Sequence, residues 1–385
     1  MIKDVLVSQN RWLLMNLDKL EGTIAQATLP PELMPYHTSI LAKCRSLRAV
    51  LLQNVSDLHL LVTTLNEEIL SNTQAATRYM HLLSSRLAYP ILRASEADRL
   101  SLRVIGWMHQ QHPETEQVPP AFCDGLTAVW PFDPPIYFLP CLDRQSLLFQ
   151  PLLFHEYSHV LYARHRREMD DLVRALQQAI GQHILPSSFR NDLYASLQSE
   201  QRQAIVDVWY PWVQELFCDA TGFLMGGPSF LHAFATHVRL LERGDLVQSP
   251  LNLQQSTHPV TWLRVKLLTE RARAAGFEQE ANTISNEWAS VANAMGIVED
   301  YAGYYDSAIG DLATQTVEDM LIEASPRPCT PEDAAGEDWE SGADSVVRLL
   351  NWAWQQYLNA PDQYAVWEAK IVQCYLAEPW PVAVP

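Results

Sequence analysis

Seven consecutive residues constrain this chain more than any other stretch: Phe154-His155-Glu156-Tyr157-Ser158-His159-Val160, a His-Glu-x-x-His signature inside an apolar, helix-compatible run. Residues four apart on a helix project to the same side, one turn above the other. His155 and His159 in that register can grip one face of a Zn²⁺ ion. Glu156 then points toward the open coordination position, where a carboxylate can take a proton from water. Two solvent-facing histidines on a surface helix are the bland alternative.

Two histidines do not complete a catalytic zinc site, which takes three protein ligands and keeps one position open. His165 continues the motif at metzincin spacing, as His155-Glu-x-x-His159-x-x-Tyr162-x-x-His165. That arrangement needs glycine at the place of Tyr162, because the backbone must turn sharply there. On an unbroken helix His165 would lie about 15 Å along the axis from His155, too far to share an ion. His258 is a further candidate, but Glu215 is the strongest of the three, in Trp212-Val-Gln-Glu215-Leu-Phe-Cys-Asp219-Ala-Thr-Gly222. Glu215 and Asp219 face one side of a helix, and Leu216, Phe217, Cys218 and Phe223 surround them with apolar groups. A buried carboxylate needs a partner. Glu215 can bind the ion while Asp219 accepts the spare ring N–H of a ligating histidine.

The motifs His155-Glu-x-x-His159, Glu215-x-x-x-Asp219 and His258-Pro259 followed five residues later by Arg264 come in one order. Together they resemble the gluzincin family of HtpX-like and CAAX-prenyl-protease-like metallopeptidases, over roughly residues 126–270. The resemblance implies a zincin-like catalytic domain and one catalytic Zn²⁺ on His155, His159 and Glu215. It implies Glu156 as general base and acid, and a polypeptide substrate. It also puts His258 and Arg264 at the cleft. His258 would donate to the oxyanion of the tetrahedral intermediate, and Arg264 would pair with Asp219 or with substrate carbonyls. The best-known members carry several membrane spans. No run of about 18 uninterrupted apolar residues exists here, so membrane substrates do not carry over.

Around these motifs the chain reads as mostly α with a small β-sheet, an α+β fold with helical N- and C-terminal extensions. Residues 1–112 are a helical region, with apolar positions at helical spacing over 2–27 and over 38–87, the latter one long helix or an αα-hairpin. Ser95-Glu-Ala-Asp98 starts a helix over Leu100–His112. His109 and His112 there read as a structural helix-end cation site. Residues 113–275 are the expected catalytic domain. Seven prolines fall within 113–140, around two β-like runs, Leu126–Trp130 and Ile136–Leu139. Proline on both sides of Ile136, Tyr137, Phe138 and Leu139 confines that run to an edge strand or its start, and to an edge extended substrate could add as one more strand. The motif helix is expected from Gln150-Pro151 to about Arg167. Further helices are expected over 170–184 and over 198–225, the latter broken near Pro211 and stopped by Gly226-Gly227-Pro228. Residues 276–385 are a helical C-terminal region with a mobile acidic loop at 325–343.

Formal charge is −18, which disfavours nucleic acid and anionic membranes as partners. Between Glu299 and Asp344 there are 13 acidic residues against Arg327 alone. This reads as a solvated face, or as a site for a basic segment. The six cysteines are scattered with no CxxC pair, which suits a reducing compartment and gives no thiolate metal site. Without a signal peptide or a span, the expected location is the cytoplasm. The expected activity is that of a soluble zinc endopeptidase. The alternative is a non-proteolytic regulatory or partner-binding protein on a zincin-like scaffold, with a regulatory partner docking on the helical extensions.

Overall fold

The computed structural model describes residues 2–59, 66–116, 119–184, 194–241, 249–335 and 346–378. It is mostly helical with one small sheet. By contact density the chain divides into two compact units. One comprises residues 1–106, 118–145 and 376–385, and the other 107–117 and 146–375.

The first unit begins with α1 (Ile2–Ala25), α2 (Met34–His59) and α3 (Asn66–Leu82). Leu6, Leu13, Leu17 and Ile24 form the buried stripe of α1, and Ile40, Cys44, Leu47, Leu51 and Leu58 that of α2. Such spacing leaves one face of each helix to bury. Inside this bundle Asn54 donates to Asn10 Oδ1 (3.1 Å), and Asn10 donates to Thr73 Oγ1 (2.8 Å). A satisfied polar link across three helices sets their register. The 38–87 expectation resolves into two helices, with residues 60–65 outside the described residues.

After α4 (Tyr89–Arg93) comes α5 (Arg99–Gln110), with the Ser95 backbone N–H donating to the Asp98 carboxylate at 2.8 Å, as the sequence signature implies. Three strands follow: β1 (Ala121–Asp124), β2 (Ala128–Trp130) and β3 (Ile136–Leu139), in the order β1-β3-β2. β3 is parallel to β1, with Ala121 opposite Ile136, and antiparallel to β2, with Trp130 opposite Ile136. Ile136, Tyr137, Phe138 and Leu139 are therefore the central strand, not an edge. Both of its sides are paired, and no extended substrate can add there. Pro135 and Pro140 sit just outside the ladder, so they do not interrupt it. The residues Ala-Phe-Cys-Asp after Pro119-Pro120 carry too little pattern to announce β1.

The second unit holds α6 (Pro113–Glu116), α7 (Leu152–Arg164), α8 (Arg166–His183), α9 (Tyr194–Gly226), α10 (Pro228–Leu241), α11 (Pro250–Gln255), α12 (Thr261–Ala274), α13 (Glu278–Ala294), α14 (Ser307–Ala324), α15 (Pro331–Ala335), α16 (Val346–Asn359) and α17 (Pro361–Ala377). α9 is its spine. It runs through Pro211 without a break and buries Trp209, Trp212, Val213 and Phe217 completely. It stops where glycine predicts, because Gly227 adopts φ +61° and α10 begins at Pro228.

The expected mobile loop at 325–343 is tied down over its first part. Arg327 N–H donates to His112 Nε2 (3.1 Å), Cys329 N–H donates to Leu224 O (2.7 Å), and Asp333 accepts from Thr330 N–H (3.1 Å). Residues 336–343 lie outside the described residues. No helix among the described residues is long and apolar enough to cross a membrane.

Candidate metal centre

The motif sits on α7, where every residue from Leu152 to Tyr162 except His159 is buried. The two unconstrained positions of the motif are used for packing. Ser158 Oγ donates to Phe154 O at 2.7 Å. The Tyr157 hydroxyl meets Thr115 Oγ1 at 2.9 Å, and its ring lies 5.1 Å from the rings of both His109 and His112. α7 ends at Arg164, three residues short of the expected end. His165 leaves the helical region (φ −100°, ψ 23°) and α8 starts at once. The His165 ring meets Glu323 at 3.2 Å and takes no part in the cluster around His155. Tyr162 donates to Asp170 (3.0 Å) and accepts from Gln214 (3.1 Å), so this side chain links α7 to α8 and α9.

α7 packs along α9, and this brings the expected residues together. His155 Nε2 lies 3.4 Å from Glu215 Oε2, and His159 Nε2 lies 3.7 Å from Glu215 Oε1. Behind the first histidine, His155 Nδ1 is 2.9 Å from Asp219 Oδ1. Arg264, near the start of α12, closes the back of the group. Its Nε and Nη2 donate to Asp219 at 2.8 and 2.7 Å, and Nη2 reaches Glu215 at 3.3 Å. Its guanidinium also lies over Phe234, 4.9 Å from the ring centroid. Arg264 thus pairs with Asp219, as expected for one of its two roles, and also reaches Glu215.

His258 stands at the exposed rim with Nε2 3.4 Å from Glu215 Oε2. The loop before α12 holds it there. Trp212 Nε1 donates to Ser256 O (3.1 Å), Ser256 Oγ donates to His258 O (2.6 Å), and Thr257 Oγ1 meets His258 Nδ1 (2.9 Å).

These surroundings push the titrating groups in different directions. Burial lifts the Glu156 carboxyl to about 7, against the pull of the His155 ring and with the push of Glu215. Burial alone would lower His155, but Asp219 and Glu215 reverse it and hold the ring at about 10. His159 has no comparable support, and burial takes it down to about 4 despite Glu215. Burial acts to raise Glu215 and Asp219, yet both are held below the usual carboxylate range. For Glu215 the larger opposing influence is His155, and for Asp219 it is Arg264. Burial, with three nearby carboxylates, drives the Cys218 thiol far up.

His155, His159 and Cys218 form a group that could hold a metal ion, their donor atoms within 4.8 Å of one another. Cys218 Sγ lies 3.4 Å from His159 Nδ1. Sequence reasoning passed over Cys218 because it sought paired cysteines, although a residue three after Glu215 shares that residue's helix face. Phe234, which flanks both His155 and Arg264, has no sequence signal of this kind. Comparisons with protein-family models, with curated proteins and with solved structures found no match.

Proposed function

We propose that this chain is a zinc-dependent endopeptidase of the gluzincin type, with a zincin-like site built from α7, α9 and α12. The observation that carries this reading is Glu156. It is buried on α7 beside His155, whose Nε2 faces Glu215 at 3.4 Å. Burying a carboxylate costs stability, and a purely structural metal site has no use for this one. A catalytic site does.

The donor types suit zinc, two imidazoles each with Nε2 facing the Glu215 carboxylate, at 3.4 and 3.7 Å. A bound cation would polarise the scissile carbonyl and acidify a water. The protein's own groups do the rest. Glu156 takes a proton from the attacking water and returns it to the leaving amine. His258 can donate to the developing oxyanion from the rim. Asp219 and Arg264 keep His155 and Glu215 in place.

The test is metal content together with cleavage of a mixed peptide library, for wild type and Glu156→Gln. Both proteins should carry one zinc per chain, and the variant should cleave at least about 100-fold more slowly. Equal cleavage by the variant, or no zinc in either, would sink the reading.

A further inference from the structure

Two donor sets compete for a cation at this site. Cys218 joins the histidines in one, and Glu215 joins them in the other. The faces of the rings separate the two. His159 turns Nε2 to Glu215 (3.7 Å) and Nδ1 to Cys218 Sγ (3.4 Å), so the carboxylate and the thiol lie off different nitrogens of one ring. His155 repeats the pattern, with Nε2 to Glu215 (3.4 Å) and Nδ1 to Asp219 (2.9 Å). A ligating imidazole gives the metal one nitrogen, and the other carries an N–H that needs an acceptor. Both rings thus offer Nε2 on the Glu215 side. Both offer Nδ1 to a residue one turn further along α9, Asp219 for His155 and Cys218 for His159.

We infer that Cys218 is the positioning residue of His159 and not a metal ligand. Its sulfur accepts the Nδ1–H, which fixes the tautomer that leaves Nε2 for the cation. This rests on the zinc reading above. A thiol sulfur is a weak acceptor beside a carboxylate. Its removal therefore belongs at the lower end of the 10- to 100-fold loss of metal affinity usual for such partners.

The experiment uses the full chain with Zn²⁺ and Co²⁺ as probes, in wild type, Cys218→Ala and Cys218→Ser. Cobalt-loaded wild type should show no sulfur-to-cobalt charge-transfer band. Cys218→Ala should bind zinc about tenfold more weakly. Cys218→Ser, which keeps an acceptor, should restore most of that affinity, whatever either change does to the melting temperature of the metal-free protein. A charge-transfer band in wild type would make Cys218 a ligand and overturn the inference. That spectrum needs no variant, so it decides even if Cys218→Ala fails to fold. Unchanged zinc affinity in Cys218→Ala would overturn it too. A wild type that takes up neither metal would remove the zinc reading itself, an outcome visible before any substitution is made.

Discussion

His109 and His112 show how far a residue's role depends on what surrounds it. Three apart at a helix end, they read as a cation site, yet both are buried against Tyr157. His112 Nε2 accepts from Arg327 N–H, so its Nδ1–H donates to Met108 O (2.8 Å) and the ring is neutral. Burial lowers both, His109 to about 3. For a histidine whose folded pKa lies below its ordinary 6.5, the fold favours the neutral ring. The stability this gives is fully present above pH 6.5 and is lost as pH falls toward 3, at about 1.4 kcal/mol per pH unit. His109→Asn keeps a donor for Thr115 O but cannot titrate. Between pH 6.5 and 5 its unfolding free energy, measured in urea with chelator present, should fall by about 2 kcal/mol less than that of wild type. Parallel pH slopes would show that His109 is not held neutral. The residues of the candidate site were legible for a different reason. His155, Glu156, His159, Glu215 and Asp219 announce themselves by helical spacing, which survives folding unchanged. Cys218 carries the same spacing signal, three residues after Glu215 on one helix face, whereas Phe234 matters only through a second helix, and no local pattern encodes that.

At the scale of elements, periodicity located most helices, and the misses have physical causes. α9 keeps going through Pro211 because Trp209, Trp212 and Phe217 are packed on both sides of it, and tertiary burial outweighs one lost hydrogen bond. The close meeting of α9 with its neighbours depends on two glycines that sequence alone leaves unexplained. A Cβ on Gly222 would stand 2.5 Å from the Phe230 ring, and one on Gly226 would stand 2.9 Å from Phe154, next to His155. Helix propensity alone favours Gly222→Ala by about 1 kcal/mol. Overpacking against an aromatic ring that is itself fully buried should reverse the sign and leave a net destabilisation of about 1–2 kcal/mol. Chemical denaturation of the metal-free protein measures it, and a stabilised variant would show that α10 can shift freely. Gly22, where a Cβ would meet nothing within 4 Å, is the matched control, and alanine there should stabilise α1.

At the scale of the whole molecule, adjacency in sequence misled where packing decides. The sheet directly precedes the motif helix in sequence, yet β1 to β3 belong to the unit of α1 to α4, whereas α14 and α16 belong with α7 and α9. Spacing reports what one helix can bury, but not which helix covers it. The ligand assignment gives this division a measurable consequence. Every donor of the candidate site, and Cys218, Asp219 and Arg264 behind it, lies in the second unit. A cation that binds only the folded site stabilises what holds it, by about 2.7 kcal/mol at 100 times the dissociation constant. Added zinc should therefore slow hydrogen exchange in the slowest amides of α7, α9 and α12 by about 100-fold. The first unit gains nothing directly from this mass action, so α1 to α3 should exchange at an unchanged rate. Zinc protection spread evenly over both units would mean that they open together, and protection that misses α9 would remove Glu215 from the site.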